Sequence, residues 1–378
     1  MRLFWLIFVP AAAYQVLAII AELRHAALRI RETRRTRTFR PGVSVLKPLR
    51  GSDPTMYEAF VSQARQNYPE FEILFGVGSM EDSAVAVVRR LQVAFPDADI
   101  RLIAGSSDAA NRKVGVLDNL ARHAKHSIWV VNDSDIEVGP DYLESVVAPL
   151  ADPAIGVVTC PYRPDPQSAA TTWEAVGVAT DFIPSTLTAP LAGVREFGLG
   201  STLAFRGSDF REAGGFPAIA DYLADDYHLA RAITGLGKRV LLSPYIVGTS
   251  LGDTDWRGVW HHQLRWSRTI RLSRSDGFAG IPITHTGVWA LLACLLGAWP
   301  VALGLLILRL GSALLSAGLV LRSPRIAALS WLAPVWDFYA LAIWLTSYRS
   351  NDVRWRDRSL TIDPDGKIEQ KAKEPMLV

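Results

Sequence analysis

The sequence predicts an α/β protein in which a mostly parallel sheet domain lies between N-terminal and C-terminal transmembrane helices. Two observations lead to this fold class. Hydrophobic residues make up 49% of the 378 residues and concentrate at the two ends of the chain. Between them, from Gly42 to about Ser250, short β-rich runs alternate with helical ones. Alternation at this spacing is typical of a mostly parallel sheet that is covered on both faces.

The N-terminal segment predicts a membrane anchor. Leu3 to Ala21 carries no charged side chain and is long enough to span a thin bilayer. A signal peptide is a poorer match, because a small-x-small cleavage site is not evident and the flanking charge follows the apolar run. Next to an apolar span, this charge predicts a cytoplasmic side and contact with anionic lipid rather than with nucleic acid. The charge comes from Arg24, Arg29, Arg31, Arg34, Arg35, Arg37 and Arg40.

Two further spans are predicted near the C-terminus. Thr286 to Leu308 is uncharged, and Ile326 to Tyr348 contains one acidic residue, Asp337. The apolar stretch Ala313 to Leu321 between them is too short to cross comfortably, so we expect it to be re-entrant or interfacial. A total of about three spans would return the basic tail to the cytoplasmic side. The tail carries Arg349, Arg354, Arg356 and Arg358.

The cysteine content indicates a reducing compartment for the central domain. Cys160 and Cys294 are the two cysteines of the chain, and Cys294 lies in a predicted span. This pair cannot supply a disulfide framework or a cysteine metal site. A cytoplasmic catalytic domain is consistent with that.

The central region predicts a run of strands joined by helices. Ligands of such sheets bind at the carboxyl ends of the strands. The predicted strands are Val43–Leu49, Phe71–Val77, Ile100–Ala104 and Ile128–Val131, and the predicted helices are Thr55–Asn67, Ser83–Phe95 and Val114–His123.

Two aspartates, Asp133 and Asp135, follow the fourth predicted strand. Like charges so close together raise the free energy unless a positive charge lies nearby. An Asp-x-Asp pair at a strand end suits a divalent cation that bridges to a diphosphate. A polar turn is the alternative, since Gly139 and Pro140 follow and aspartate favours turns. The motif alone leaves both interpretations open.

A second acidic pair, Asp225 and Asp226, opens a helical pattern that ends near Gly235. Aspartate at a helix N-terminus is usually a cap. One aspartate satisfies that role, and the second could serve as a general base.

A basic helix rich in tryptophan and histidine, Trp256 to Arg271, precedes the C-terminal spans. Such a composition suits the bilayer interface. Arg265 and Trp266 in this helix could also hold an anionic leaving group.

The order of the short motifs resembles a known family. VSVLKPLRG, NDSDI, FGLGST, YLADDYHLA and HQLRW, followed by paired apolar spans, resemble the ceramide glucosyltransferase family. The hopanoid-biosynthesis glycosyltransferases form a closely related branch. The resemblance covers Leu3 to Tyr348 and implies a membrane-anchored glycosyltransferase with a GT-A (Rossmann-like) fold.

The resemblance also implies roles for the acidic residues. Asp82 is expected near the nucleotide base, and Asp133 with Asp135 is expected to bind Mg²⁺ or Mn²⁺. Asp226 is the expected catalytic base, beside Asp225 as a substrate-binding residue.

Further substrate-binding residues follow from the family motifs. The (Gln/Arg)-x-x-Arg-Trp motif falls on His262, Arg265 and Trp266, and here histidine stands where the family has glutamine or arginine. Lys113 matches a family lysine near the donor, although a solvated lysine at a helix start is an equal alternative. Pro48 belongs to the first motif. Gly200 lies in a segment expected either to line the acceptor side or to form an ordinary turn.

The expected activity is metal-dependent, inverting transfer of a sugar from a UDP-sugar to the hydroxyl of a membrane lipid. Glucose and ceramide are the leading pair, and N-acetylglucosamine with a hopanoid such as bacteriohopanetetrol is the alternative. A polysaccharide synthase is a weaker alternative, because it would need more spanning helices. A glycosidase also uses two carboxylates, but the Asp133 and Asp135 pair beside a basic clamp suits a nucleotide better than a polymer. A non-catalytic nucleotide-sugar-binding or assembly protein is the alternative of another class.

These expectations divide the chain into six segments. They are an N-terminal transmembrane helix (1–23), a basic cytoplasmic linker (24–41), a GT-A glycosyltransferase domain (42–254), an amphipathic interface helix (255–280), a C-terminal membrane region (281–348) and a cytoplasmic tail (349–378).

Overall fold

A seven-stranded mixed sheet forms the centre of the central domain in the computed structural model, which describes residues 4–32, 38–355 and 358–369. The strands run in the order β3-β2-β1-β4-β8-β6-β9, and β8 is antiparallel to both of its neighbours. The other neighbouring pairs are parallel, so the expected mostly parallel sheet is confirmed. The strands of this sheet are β1 (Val43–Pro48), β2 (Phe71–Val77), β3 (Ile100–Ala104), β4 (Ile128–Val131), β6 (Ile155–Thr159), β8 (Leu203–Arg206) and β9 (Arg239–Leu242).

A smaller sheet extends the carboxyl edge of the large one. It contains β5 (Ile136–Glu137), β7 (Tyr162–Asp165) and β10 (Val247–Ser250), in the order β5-β10-β7. The pairing of Thr249 with Ile136 brings β10 beside the segment that follows β4. That segment carries the first acidic pair.

Alternating apolar side chains along the strands build a core on each face of the large sheet. Val45 and Phe75 are buried on one face, and Leu46 and Leu74 are buried on the other. Helices cover both faces. They are α2 (Met56–Ala64), α3 (Ala84–Ala94), α4 (Arg112–Ala121), α5 (Tyr142–Val147), α6 (Ala169–Gly177), α7 (Ile183–Thr188), α8 (Gly207–Glu212) and α9 (Asp225–Thr234).

The N-terminal helix α1 spans Val9–Glu32 and so continues past residue 23, where we expect the membrane anchor to end. Phe8, in the 3₁₀ turn that precedes α1, and Ala11 of α1 pack against apolar side chains of the C-terminal membrane region. Tyr14 makes a hydrogen bond of 2.9 Å to Ser185 of α7. The anchor is therefore joined to the catalytic domain as well as to the other apolar helices. Arg34, Arg35 and Arg37 of the basic arm lie outside the described residues.

The C-terminal region differs from the sequence prediction in where its helices break. The expected continuous span from Thr286 to Leu308 is wrong, because the chain turns at Gly297, whose φ is +75°. The stretch Ala313–Leu321 is not a separate interfacial piece, because it continues the preceding helix into a π-helical segment, Leu315–Val320. The helices are α10 (Trp256–Ser273), α11 (Ser275–Phe278), α12 (Thr286–Leu295), α13 (Trp299–Leu314), α14 (Pro324–Ala327) and α15 (Ala333–Ser347).

A buried ion pair explains why Arg309 does not interrupt α13. The Arg309 guanidinium lies 2.6 Å from a carboxylate oxygen of Asp337 on α15, and their side chains are 2% and 0% exposed. Arg309 also donates a hydrogen bond of 2.5 Å to the Thr180 carbonyl. Pairing and hydrogen bonding make a buried charge tolerable, and breaking such a pair is strongly destabilising. The pair ties α13 and α15 to the catalytic domain.

Two helical segments are long and apolar enough to cross a membrane, Leu6–Arg31 and Trp299–Val320. This finding rests on length and composition among the described residues. The number of about three spans and the cytoplasmic location of the central domain stay predictions.

The segment after α15 is folded against the catalytic domain rather than extended. The strands β11 (Asp352–Trp355) and β12 (Arg358–Thr361) form an antiparallel pair. Residues 362–369 follow and pair with the segment before α9. The predicted cytoplasmic tail thus contains a structured part.

Candidate active site

A cavity of about 1410 Å³ lies at the carboxyl edge of the large sheet. It joins the segments that follow β1, β2 and β4, the start of α4, the turn before β8, the start of α9 and one side of α10. Every site residue predicted from the sequence lines this one cavity. They are Pro48, Asp82, Lys113, Asp133, Asp135, Gly200, Asp225, Asp226, His262, Arg265 and Trp266.

Lys113 joins the two acidic motifs. Its ammonium lies 2.8 Å from Asp133 Oδ1 and 2.9 Å from Asp225 Oδ2. Burial by itself lowers the pKa of Lys113, but the two carboxylates outweigh burial and hold this pKa above its usual value. Asn111 positions the lysine, because its side chain accepts hydrogen bonds from the Lys113 and Val114 amides at the start of α4. The alternative of a solvated lysine is therefore wrong.

Asp226 is held by backbone amides on both carboxylate oxygens. The amide of Gly200 donates to Oδ2 at 2.9 Å, and the amide of Tyr227 donates to Oδ1 at 2.8 Å. Burial and the neighbouring Asp225 raise the pKa of Asp226 to about 6, although Lys113 opposes this rise. A carboxylate with a raised pKa in a cleft is suited to accept a proton near neutral pH.

Gly200 lies between the two acidic motifs. Its carbonyl accepts a hydrogen bond of 3.1 Å from the Asp133 amide, and its amide donates to Asp226. A Cβ at this position would be 2.8 Å from Asp133 Oδ2 and 3.7 Å from Asp226 Oδ2. The turn therefore uses glycine to let backbone approach both carboxylates closely.

Asp135 is held from the small sheet. Its Oδ2 accepts a hydrogen bond of 2.5 Å from the Thr249 hydroxyl on β10. Burial raises the pKa of Asp135, and the charge of Asp133 raises it further.

Lys47 is a charged residue of this site that the sequence analysis missed. It is fully buried at the end of β1, and its ammonium lies 2.8 Å from Asn132 Oδ1 and 2.9 Å from the Asp133 carbonyl. Burial lowers its pKa to about 7, against the opposing pull of Asp135 and Asp133. A lysine within an otherwise apolar buried strand was the available signal, because such a lysine needs a buried partner.

Asp133 and Asp135 fit a divalent cation that also binds a substrate phosphate. Asp133 Oδ2 accepts no hydrogen bond from the described residues, while Oδ1 binds Lys113. Within the described ranges, no group of three or more histidine, cysteine or acidic side chains could hold a metal ion. Mg²⁺ is commonly bound by one or two carboxylates together with substrate phosphates and water. The two aspartates can supply that protein contribution.

Arg265 supplies an unused positive charge. It projects from α10 into the cavity, and among the described residues its guanidinium makes no hydrogen bond and no ion pair. Burial lowers its pKa, whereas Asp133, Glu174 and Asp226 oppose that effect. Arginine stays protonated in proteins, so the cavity contains a cation that is available to an anionic ligand.

Glu174 on α6 was also missed, and it accounts for the setting of His262. Its carboxylate is 2% exposed, and Oε1 lies 2.6 Å from His262 Nδ1 and accepts a hydrogen bond of 2.7 Å from Gln263. The His262 ring also packs against Trp266 at 4.7 Å between centroids. A buried carboxylate thus orients the histidine that replaces the glutamine or arginine of the family motif.

Asp82 connects the first two loops of the cavity. Its carboxylate oxygens accept hydrogen bonds from the Gly51 amide at 2.9 and 3.1 Å, and one of them also accepts from the Ala84 amide. Gly51 lies three residues after Pro48, the last residue of β1. This contact holds the loop after β1 against the start of α3.

The cavity also has an apolar side formed by aromatic and aliphatic residues near the membrane region. These side chains come from the segment 178–189, from α10, from α11 and the residues between it and α12, and from α15. Among them are Phe182, Phe278, Ile281, Trp336, Ile343 and Trp344. The acidic groups and this apolar side share one continuous space.

A sheet of this topology, with acidic motifs at its carboxyl edge, places the central domain in the GT-A fold class. A solved mannosyltransferase from Pyrobaculum calidifontis, PcManGT in complex with GDP-Man and Mn²⁺, shares the fold. Its TM-score is 0.53 at 22% identity, over 90% of this chain and 97% of that chain. The expected fold class is confirmed.

The chain belongs to glycosyl transferase family 21, whose pattern it matches over residues 3–368. Ceramide glucosyltransferase 1 of Caenorhabditis elegans is 30% identical over 208 residues, covering 54% of this chain and 44% of the relative. Ceramide glucosyltransferase 3 of the same organism is 28% identical over 220 residues, covering 54% and 45%. These matches span less than half of the relatives' own length. The resemblance to the ceramide glucosyltransferase family is confirmed.

Replacing Gly200 by alanine should impair the site while leaving the fold intact. The new Cβ would lie 2.8 Å from Asp133 Oδ2, so that carboxylate must move. Since a displacement of about 1 Å at a reacting group can lower rates by about 10²-fold, we expect at least a tenfold loss of turnover. Initial rates and thermal unfolding in detergent would be measured together.

Gly304→Ala on α13 is the matched control, because a Cβ there meets no atom within 4 Å. It should retain wild-type turnover. Wild-type turnover in Gly200→Ala would show that Gly200 does not constrain the acidic residues.

Proposed function

We propose that this protein transfers a sugar from a UDP-sugar to the hydroxyl of a membrane lipid, with glucose and ceramide as the leading pair. The observation that carries the proposal is the single cavity that unites acidic groups and a free arginine with an apolar side. A nucleotide-sugar needs the first set of groups, and a lipid acceptor needs the second. The similarity to proteins named ceramide glucosyltransferase supports the choice of substrates.

The donor diphosphate binds between Arg265 and the acidic pair at the end of β4. The leaving UDP gains negative charge as the anomeric bond breaks, and preorganised positive groups stabilise such charge. Arg265 provides hydrogen-bond donors from α10, while Lys113 stays committed to Asp133 and Asp225. Asp82 lies on the neighbouring loop, where it can accept a hydrogen bond from the base.

Asp133 and Asp135 would hold a divalent cation, Mg²⁺ or Mn²⁺, which would supply Lewis-acid neutralisation of the diphosphate. Mn²⁺ is named with the mannosyltransferase of similar fold. Lys47 lies beneath the pair and offsets part of its charge while the carboxylates stay available.

Asp226 takes the proton from the acceptor hydroxyl as the oxygen attacks the anomeric carbon. Two backbone amides hold the carboxylate in place, and its raised pKa suits a base that works near neutral pH. One base and a single displacement invert the configuration at that carbon. His262, oriented by Glu174, and Trp266 line the cavity beside Arg265.

The acceptor enters from the membrane side. Phe278, Ile281 and Trp344 give the cavity an apolar side beside the interface helix and the C-terminal helices. A lipid can present its hydroxyl to Asp226 there while its chains stay in an apolar environment. The basic segment after α1 fits a catalytic domain on the cytoplasmic side.

A lipid product assay tests the proposal. Membranes containing the protein are incubated with Mg²⁺ or Mn²⁺ and with UDP-glucose or UDP-N-acetylglucosamine. Ceramide and bacteriohopanetetrol are supplied in parallel, and extracted lipids are analysed by mass spectrometry. We expect a hexose on ceramide, only when a divalent cation is present.

An N-acetylhexosamine on the hopanoid would keep the lipid glycosyltransferase activity and change the substrate pair. Absence of a glycolipid and of UDP release with every pair would contradict the proposal and favour a non-catalytic protein.

The variant Asp226→Asn should lose most turnover, because an amide cannot accept the hydroxyl proton. General bases contribute about 10²–10⁴-fold, and we expect a loss in this range with UDP affinity largely retained. The wild-type kcat/KM should rise with pH through about 6, since Asp226 must be deprotonated to act. Asp225, Lys113 and Asp133 face this carboxylate and set that value.

Turnover would be measured by UDP release and UDP affinity by calorimetry. More than about a tenth of wild-type turnover in Asp226→Asn would remove Asp226 from the role of base.

A further inference from the structure

We propose that the C-terminal segment, residues 350–355 and 358–368, positions the catalytic loop and belongs functionally to the active site. We name this segment the C-terminal clamp and residues 220–224 the catalytic loop, because Asp225 and Asp226 follow directly. The inference rests on the proposed function, since it assigns the clamp a role in placing the base Asp226.

The clamp extends the catalytic loop by backbone pairing. The Ile368 amide donates to the Asp221 carbonyl at 2.8 Å, and the Leu223 amide donates to the Gly366 carbonyl at 3.3 Å. Tyr222 pairs with Lys367 as an antiparallel bridge, and the Lys367 ammonium lies 5.4 Å from the Tyr222 ring centroid. The loop is thus held along its length, up to the residue before Ala224.

A small apolar core closes this contact. Leu223 of the catalytic loop is buried with Val353, Ile362 and Ile368 of the clamp, and these side chains are 7%, 1%, 1% and 7% exposed. Leu360 of β12 packs against the same cluster and also lines the catalytic cavity. Leu223 lies only two residues before Asp225, so its burial limits the movement of the acidic pair.

The other side of the catalytic loop contacts the helix that carries Lys113. The Asn111 amide donates to the Ala220 carbonyl at 2.9 Å, and its side-chain amide donates to the Tyr222 carbonyl at 2.8 Å. The same side chain caps α4. The catalytic loop therefore lies between the clamp and the N-terminus of α4. The Lys113–Asp225 ion pair joins α4 to the residue that follows this loop.

The clamp also contacts the interface helix. Arg268 donates a hydrogen bond to the Asp352 carbonyl, and Arg271 donates to the Asn351 side chain and to the Ser350 carbonyl. Arg268 and Arg271 follow Arg265 at intervals of three residues on α10. A single segment thus links the helix that bears the free arginine to the loop that bears the base.

These contacts give the clamp a defined kinetic role. The proposed donor-binding residues are Asp82, Asp133 and Arg265, and no hydrogen bond or ion pair joins them to the clamp within the described residues. The placement of Asp226, in contrast, depends on the loop. Loosening the clamp should therefore lower kcat much more than it changes the KM for the UDP-sugar.

Ile368→Ala in the full-length protein tests this role. It shortens one side chain of the apolar core and keeps the backbone pairing. Because a displacement of about 1 Å can lower rates by about 10²-fold, we expect kcat to fall about 10- to 100-fold, with the donor KM changed less than about threefold. Amide hydrogen exchange of the segment 221–226 should become faster. Ile368→Val should restore most of kcat.

Glu369→Ala is the matched control, since Glu369 is the exposed neighbour of Ile368. It should keep wild-type kcat and wild-type exchange. A chain ending at residue 361 should lose nearly all turnover while it still binds UDP with Mn²⁺.

Wild-type kcat in Ile368→Ala, with unchanged exchange of segment 221–226, would overturn the inference, as would full activity of the shortened chain. A parallel rise in the donor KM and loss of UDP binding would also overturn it, since the clamp would then act on the whole domain. If the wild-type protein forms no glycolipid, the proposed function fails. Faster exchange in Ile368→Ala with unchanged UDP binding would still support the positioning role.

Discussion

The Lys113 ion pairs are the interaction on which the rest of the site depends. Four carboxylates from two distant segments lie at one edge of the sheet, and their mutual repulsion would drive the segments apart. The ammonium of Lys113 contacts one carboxylate from each motif, at 2.8 and 2.9 Å. The other carboxylate of each motif has a different partner. Asp135 accepts a hydrogen bond from Thr249, and Asp226 accepts hydrogen bonds from backbone amides. The capped start of α4 holds the lysine, so the electrostatic balance depends on a local helix signal.

Backbone groups also hold the two acidic motifs together. The turn at Gly200 contacts Asp133 through its carbonyl and Asp226 through its amide. It thereby sets the spacing between the carboxylate proposed to bind the metal and the carboxylate proposed to act as the base. Fixed amides of this kind need little rearrangement during a reaction. Positive charge for the substrate then comes from Arg265, on a helix beside the membrane region. Lys113 and the Gly200 backbone thus hold the site together, whereas Arg265 remains available to the proposed donor.

The sequence predicted strands β1 to β4 of the central sheet well because their signals are local. The buried strand β4, for example, is a continuous apolar run. Asp133 and Asp135 could be placed at the carboxyl edge because they follow β4 directly, whereas Asp226 was assigned through the family resemblance. Lys47 and Glu174 were missed because the value of each depends on a partner that is remote in sequence. Their partners are Asp133 and His262, respectively.

The membrane region was predicted less well, because its helices also depend on partners that are remote in sequence. Arg309 reads as an interruption of an apolar run, yet Asp337 on another helix neutralises it and the helix continues. Gly297 was not recognised as a break, because an apolar run containing one glycine is also compatible with a continuous helix. The pairing of the C-terminal clamp with the catalytic loop could not be predicted from the sequence, because it uses backbone hydrogen bonds that any residue can make. Contacts between remote segments therefore account for most of the differences.

Binding of UDP tests most directly the claim that the free arginine and the acidic edge form a nucleotide site. Calorimetry with Mn²⁺ would compare the wild-type protein with Arg265→Met. A hydrogen-bonded charge contributes about 1.5–3 kcal/mol, so we predict that the variant binds UDP about tenfold or more weakly. Equal affinity in the two proteins, or no binding by the wild-type protein, would contradict the account.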